Sequence, residues 1–109
     1  VQKGLQAIKD VIGEDPARIM RAPGGNFKGD IVWTLQPYID AEIGWNVDTE
    51  DWRRPGADTI ASRIMKAKPG SVILMHDGGS ERSQTLAAAR TVLSTLKAKG
   101  WRFEPIPGC

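Results

Sequence analysis

Apolar residues in this chain either recur every three to four positions or form runs that are continuous or alternating. The apolar run at residues 72–75 is too short for a buried helix and rich in β-branched side chains. It predicts a strand over residues 71–76 that is covered on both faces, as in parallel sheets. Period-two alternation predicts a second strand over residues 39–47. Short strands are also predicted at residues 18–21 and 102–105.

Four segments carry the spacing of an amphipathic helix. The first is predicted over residues 3–12, the second begins at Asp30, the third begins near Asp58, and the longest covers about residues 83–99. The longest helix has one apolar stripe, which we expect to face the core: Leu86, Ala89, Val92, Leu93 and Leu96.

Helices and strands therefore alternate along the whole chain. That order indicates an α/β fold with a parallel sheet built from right-handed crossovers. It amounts to about half of a closed (β/α) barrel, which takes roughly 250 residues in its commonest form. Half a barrel leaves two open sheet edges. We therefore expect a covering partner, either the other half of the same protein or a second copy.

Length, charge and cysteine content narrow the function classes. With 109 residues the chain forms at most one small domain. Its net charge of +2 is too small to indicate binding to nucleic acid or to an anionic membrane, and no apolar stretch has the length of a membrane span. The chain begins at Val1 rather than Met, so we expect a piece of a longer protein. The single cysteine, Cys109, is either a free thiol or a bridge to another chain.

Polar side chains follow three of the predicted strands. Arg21 ends the first, Asp48 and Asp51 follow the second, and His76 and Asp77 end the third. The carboxyl ends of parallel strands share one rim, so these groups can converge. A carboxylate beside an imidazole fixes its tautomer and favours its protonated form, which suits a general acid. An arginine could hold a second carboxylate in its ionised form.

Each of these residues also has a purely structural interpretation. A single histidine at a strand end is more often structural than catalytic, and an arginine at a strand end can form an ion pair of little consequence. The aspartates can shape a loop or cap a helix. Pro23-Gly24-Gly25 can be an ordinary turn, although its glycines would also let backbone N–H groups approach a substrate as an oxyanion site requires. The expected convergence favours the functional interpretation.

Three motifs in this order carry a family resemblance. Residues 21–25 (RAPGG) resemble an R-x-P-x-G motif, residues 48–52 (DTEDW) resemble D-x-x-D-W, and residues 74–76 (LMH) resemble L-x-H. Together they resemble the third, fourth and fifth motifs of the polysaccharide deacetylases, the NodB-homology domain or carbohydrate esterase family 4. The resemblance implies that residues 1–109 are the C-terminal part of one catalytic domain, with half of a distorted (β/α) barrel.

The resemblance also implies a reaction, the metal-dependent hydrolysis of acetyl groups from a polysaccharide. The catalytic residues it implies are His76 as general acid, Asp51 as its partner and Arg21, which steadies an aspartate base. Trp52 and Leu74 would line the acetyl slot. Pro23 and Gly24 would lie against the substrate, with the Gly24 N–H as oxyanion donor. Many relatives have tyrosine at the position of Gly24, so the sugar preference stays open.

The first two family motifs, T-F-D-D and H-x-x-x-H, are missing, and they supply the base and the metal ligands. The resemblance therefore implies a divalent metal, usually zinc, bound mainly by residues outside this chain, and a chain that is inactive alone. The expected partner is the N-terminal half as a separate chain, which Cys109 could join by a disulfide in an extracellular, secreted or cell-surface setting. The alternative is a carbohydrate-binding relative without catalysis. Peptidoglycan, chitin oligomers and acetylxylan all remain open as substrates.

Overall fold

The computed structural model describes residues 1–106, which form two compact units. Among the described residues, the first contains residues 1–44 with Pro105 and Ile106, and the second is Trp45–Glu104. In the described part of the chain no helix is both long enough and apolar enough to cross a membrane.

The first unit contains two helices and a pair of parallel strands. Its elements are α1 (Gln2–Ile12), β1 (Ile19–Met20), a 3-10 helix (Pro23–Gly25), α2 (Gly29–Leu35) and β2 (Ala41–Glu42). β1 pairs with β2 in parallel, Ile19 opposite Ala41 and Met20 opposite Glu42. α1 ends at Gly13, whose φ of 79° is the left-handed conformation that glycine adopts without strain. Both helices lie where the hydrophobic spacing predicts them.

The second unit contains the other parallel pair and the hydrophobic core. Its elements are β3 (Val47–Asp48), a 3-10 helix (Asp51–Arg53), α3 (Ala57–Ile64), β4 (Ile73–Leu74) and α4 (Ser83–Ala98). β3 pairs with β4 in parallel, Val47 opposite Ile73 and Asp48 opposite Leu74. The core lies between α3 and α4 and consists of Ile60, Ile64, Ala88, Val92 and Leu96. The α/β class with parallel strands is confirmed, and its assignment to half of a barrel stays a prediction.

Three strand predictions need correction. The single strand over residues 39–47 is wrong, because β2 ends at Glu42, β3 begins at Val47 and the two pair with different strands. Gly44 lies in the break, and glycine weakens a strand interior. The strand at 102–105 is wrong: these residues are irregular in the structure. The strand at 71–76 shortens to β4 and is half-buried rather than covered on both faces.

The predicted face of the longest helix is confirmed at Val92 and Leu96 and wrong at Leu86 and Leu93. The residues of α4 that are buried are Thr85, Ala88, Val92 and Leu96, whereas Leu86 is 53% exposed and Leu93 44% exposed. Contact with α3 centres the buried stripe on the side of Val92 that carries Ala88 and Thr85, so the helix is rotated away from Leu86 and Leu93. This rotation turns a threonine, rather than Leu86, toward the interior.

Candidate active site

The parallel pairing of β3 and β4 brings Asp51 and His76 together. Asp51 opens the 3-10 helix that follows β3, and His76 follows β4 after one intervening residue. The imidazole Nδ1 lies 2.7 Å from Asp51 Oδ1. The backbone N–H of His76 donates to Asp51 Oδ2 at 2.9 Å. One carboxylate therefore holds both the ring and the backbone of the histidine.

The side chain of Asp51 is completely buried, and further donors form hydrogen bonds with its carboxylate. A buried carboxylate is tolerated only where hydrogen bonds replace its water. The Thr85 hydroxyl donates to Oδ2 at 2.9 Å. The Thr49 hydroxyl lies 3.3 Å from Oδ1 and 2.7 Å from the carbonyl oxygen of Leu74. Since a hydroxyl has one proton, the shorter contact to Leu74 is the stronger bond, and it ties the end of β3 to β4.

Opposing effects act on the pKa of Asp51. Burial raises it, but hydrogen bonds from the His76 ring and backbone N–H and from the Thr85 hydroxyl lower it, as does the nearby imidazole charge. The net result is a pKa below the usual value of 3.8. Asp51 is therefore an anion throughout the neutral range, which is the state that attracts an imidazolium.

The His76 ring faces Asp51 on one side and is open on the other. Its side chain is 39% exposed. No hydrogen bond joins Nε2 to any of residues 1–106. The anionic carboxylate accepts a hydrogen bond from Nδ1, so a neutral ring carries its proton on Nδ1 and its lone pair on Nε2. When the ring is protonated, Nε2 can donate a hydrogen bond as well. This arrangement leaves Nε2 as the ring nitrogen at which a proton can be accepted or donated.

Trp52, the residue after Asp51, lies in a strained turn. Glu50 and Arg54, on either side of the 3-10 helix, have φ values of 46° and 54°, which are unfavourable for side-chain-bearing residues. Arg63 holds the turn through the Glu50 carboxylate at 3.1 Å and the Thr49 carbonyl oxygen at 2.7 Å. The turn leaves Trp52 51% exposed, with the Arg53 guanidinium 4.6 Å from the centre of its ring.

Replacing Arg54 with glycine should stabilise the chain. Glycine adopts a φ of 54° without the Cβ clash that arginine suffers, and the backbone bond from its N–H to the Asp51 carbonyl is kept. We expect a gain of about 0.5–1 kcal/mol and a melting temperature a few degrees higher, measured by circular dichroism. Arg53→Gly is the matched control and should destabilise, because Arg53 has no positive φ and covers Trp52. Equal losses of stability in both variants would show that the left-handed conformation of Arg54 is not strained.

Acidification should expose the contribution of Asp51 to stability. Its pKa is lower in the folded chain than in the unfolded chain, so the folded state binds the proton more weakly. The stabilisation is present above the unfolded value of about 3.8 and is lost as the pH falls through the lower folded value. Urea unfolding between about pH 5 and pH 2 should therefore show a steeper loss in the parent than in Asp51→Asn. Parallel pH profiles would refute this.

The structure describes Arg21, Pro23 and Gly24 in the first unit. Arg21 is exposed, and its Nε donates to the Ile43 carbonyl oxygen at 3.2 Å. Gly24 lies in the 3-10 helix with a φ of 63°, and its N–H donates to no group among residues 1–106. Such an N–H can serve as an oxyanion donor. The convergence of these residues with the Asp51–His76 pair stays a prediction.

Sequence reasoning missed the two threonines of the site. Thr49 stands inside the D-x-x-D-W motif at a position of undefined residue type. Thr85 was concealed by the choice of Leu86 for the inner face of α4. The signal that could have found it is the alternative stripe at residues 85, 88, 92 and 96, which has the same helical spacing.

No group of three or more His, Cys, Asp or Glu side chains that could hold a metal ion occurs within residues 1–106. The donor set in this part of the chain therefore does not fit a zinc site, which needs at least three protein ligands. Cys109, predicted as a link to another chain, lies outside the described residues.

Comparison with curated proteins finds deacetylases. No protein-family profile matches the chain. It is 39% identical over 88 residues to a peptidoglycan-N-acetylglucosamine deacetylase of Bacillus cereus, covering 78% of this chain and 41% of that protein. It is 35% identical over 114 residues to a chitooligosaccharide deacetylase of Bradyrhizobium sp. (strain ANU 289), covering 94% and 52%. The chain thus spans about half the length of the curated relatives it matches.

Solved structures of similar proteins share the fold. A peptidoglycan N-acetylglucosamine deacetylase matches with a TM-score of 0.83 and 30% identity, over 98% of this chain and 50% of that one. A family 4 carbohydrate esterase from Streptomyces lividans, in complex with acetate, matches with 0.77 and 31%, over 99% and 56%. A family 4 pseudoenzyme from Bacillus anthracis matches with 0.77 and 31%, over 93% and 34%. Active and inactive relatives therefore share this architecture.

Proposed function

Because this chain is a homologue of the polysaccharide deacetylases of carbohydrate esterase family 4, we propose that it supplies the general acid of a deacetylase domain. The observation that carries the proposal is the His76–Asp51 pair, a buried anion 2.7 Å from a ring whose other nitrogen is open. A structural histidine does not need a carboxylate that binds its ring and its backbone together.

The proton transfer follows from the chemistry of amide hydrolysis. Water loses a proton to a base outside this chain and adds to the acetyl carbon, and the bond from that carbon to the sugar nitrogen then breaks. The departing amine is a poor leaving group until it gains a proton, which His76 donates from Nε2. Water supplies the oxygen of the acetate that is released. Asp51 stabilises the imidazolium beforehand and keeps Nε2 pointed outward.

The remaining predicted residues have supporting roles in this proposal. Trp52 and Leu74 form the slot for the acetyl methyl group, and the exposure of the Trp52 ring is compatible with contact to a sugar. Gly24, next to Pro23, donates its N–H to the oxyanion, and Arg21 steadies a base outside this chain. These roles rest on the family resemblance and on the strand-end positions of the residues.

The proposed reaction also requires a divalent metal and the N-terminal half of the domain. A divalent metal, zinc in the simplest case, would polarise the acetyl group, with its ligands outside this chain. The N-terminal half of the domain would contribute those ligands and the base, whether as part of the same chain or as a separate one joined through Cys109. A disulfide through Cys109 would need an oxidising environment, so we place the protein outside the cell or at its surface.

The substrate class we favour is a polymer that contains N-acetylglucosamine. Relatives are named as deacetylases of peptidoglycan N-acetylglucosamine and of chitooligosaccharides. Acetylxylan, an O-acetylated polymer, is a further candidate within the same chemistry. His76 would protonate a sugar oxygen instead of a nitrogen there.

A second candidate is a carbohydrate-binding relative that has lost catalysis. The match to a pseudoenzyme favours it, and a mutant of that protein has restored enzymatic activity. The retained His76–Asp51 pair argues against it, because binding alone has no use for a proton donor.

Acetate release decides between the two candidates. The complete domain containing this chain should release acetate from peptidoglycan or chitooligosaccharides. The 109-residue chain alone should release none, because its single histidine is committed to Asp51 and the chain spans about half of its relatives. Glycan binding by the complete domain, without acetate release, would establish the second candidate instead. Acetate release by the 109 residues alone would refute the need for a second half.

A further inference from the structure

We propose that Thr85 is a positioning residue for the His76–Asp51 pair, holding the carboxylate so that Oδ1 is aimed at the imidazole. This inference rests on the proposed function for its catalytic meaning. Its geometry stands independently, and Thr85 belongs to none of the three sequence motifs.

The need for such a residue follows from the bonds at the carboxylate. The terminal torsion of an aspartate is broad, so hydrogen bonds determine where its two oxygens lie. Oδ1 binds the His76 ring, and Oδ2 binds the His76 backbone N–H at 2.9 Å. Both bonds come from one residue on the loop after β4. Thr85, at 2.9 Å from Oδ2, is the donor that reaches this oxygen from a different element, α4.

Thr85 is itself well anchored. It is 7% exposed and lies on the buried stripe of α4 with Ala88 and Val92, which pack in the core against α3. A β-branched side chain has few rotamers in a helix. The position of Oγ1 therefore follows the position of the helix, and the core fixes the carboxylate through this one hydroxyl.

Two other threonines of α4 donate within their own helix. Thr91 donates to the Ala87 carbonyl oxygen at 3.1 Å, and Thr95 donates to the Thr91 carbonyl oxygen at 2.8 Å. Both bonds return to the preceding turn of the same helix, the usual local partner of a helical threonine. Thr85 lies in the first turn of α4, which has no preceding turn, and donates across to Asp51, so the bond joins two elements.

The loss of the hydroxyl should change the tautomer of His76. Thr85→Val keeps the shape of the side chain and removes the donor, which leaves Oδ2 with only the His76 backbone bond. The carboxylate can then rotate, and Oδ1 no longer holds the proton on Nδ1. A free neutral imidazole favours the proton on Nε2. A threonine that only packs in the core would not affect this equilibrium.

Nitrogen-15 NMR of the 109-residue chain tests the proposal, and its single histidine gives one unambiguous pair of ring signals. At a pH where the ring is neutral, the parent should hold the proton on Nδ1. Thr85→Val should move a large share to Nε2, and Thr85→Ser should restore the parent spectrum. Thr91→Val is the matched control on the same helix and should match the parent. If Thr85→Val does not fold, Thr85→Ala carries the same expectation.

A folded Thr85→Val chain with the parent tautomer would overturn the positioning role, and so would a parent ring protonated at Nε2. The proposed function fails separately, if the complete domain keeps the Nδ1 tautomer yet releases no acetate. That result would leave the structural role of Thr85 intact.

Discussion

Replacing His76 with alanine should lower the kcat for acetate release by the complete domain by about 10²–10⁴-fold, the usual contribution of a general acid. His76 is the single histidine of the sequence, and its ring is partly exposed on the side away from Asp51. KM should change little, because the ring acts mainly as the bond to the leaving amine breaks. The measurement is steady-state acetate release from a chitooligosaccharide over a range of pH.

The pH profile separates an acid from a structural residue. The limb of the profile on which rate falls as the pH rises should disappear in His76→Ala, since that limb reports the loss of the donated proton. Met75→Ala, a change at the exposed neighbouring residue, is the matched control and should keep most of the activity. Unchanged kcat in a folded His76→Ala domain would remove His76 from the mechanism.

Replacing Asp51 with asparagine should have a comparable effect on kcat, about 10²–10⁴-fold, without a change in side-chain size. The amide has no charge to stabilise an imidazolium. It also has one acceptor oxygen where the carboxylate has two, and these receive the His76 ring, the His76 backbone N–H and the Thr85 hydroxyl. At least one buried donor then loses its partner, which should cost about 1–3 kcal/mol of stability.

Melting temperature and kcat must be measured together for this variant. At a temperature where the variant is fully folded, the loss of activity should persist. Asp15→Asn makes the same chemical change at an exposed aspartate paired with Lys9, and it should alter neither quantity appreciably. An Asp51→Asn domain that is folded and retains activity within a few-fold of the parent would show that the pair is not catalytic.

The hydrogen bond between Asp51 and His76 follows from the order of the predicted strands. Both residues come after such strands, and parallel strands place the residues at their carboxyl ends along one edge. Only residues 47–48 and 73–74 pair in this sheet, yet this short ladder suffices to bring the two side chains together. The positions of Arg21 and Gly24 relative to that pair do not follow from strand order, because they also depend on how the two units are arranged.

Other features of the fold depend on tertiary contacts that the local sequence does not specify. The alternation at residues 39–47 has the period of one long strand, but its two ends pair with different strands and Gly44 interrupts it. The left-handed conformations of Glu50 and Arg54 contradict the preferences of those residue types. Contacts made by Arg63 with Glu50 and with the Thr49 carbonyl hold this turn in place, and such long-range contacts leave no local pattern.

Residue order and spacing alone predict the α/β class, the family resemblance and the Asp51–His76 pair, because each depends on strand order and on short motifs. The rotation of α4, and with it the Thr85 hydroxyl on Asp51, was decided only by tertiary packing. Two stripes of that helix have the same spacing, and one contains the larger apolar residue, Leu86. The contact with α3 and the need of a buried carboxylate for donors favour the other stripe, and neither can be read from local periodicity.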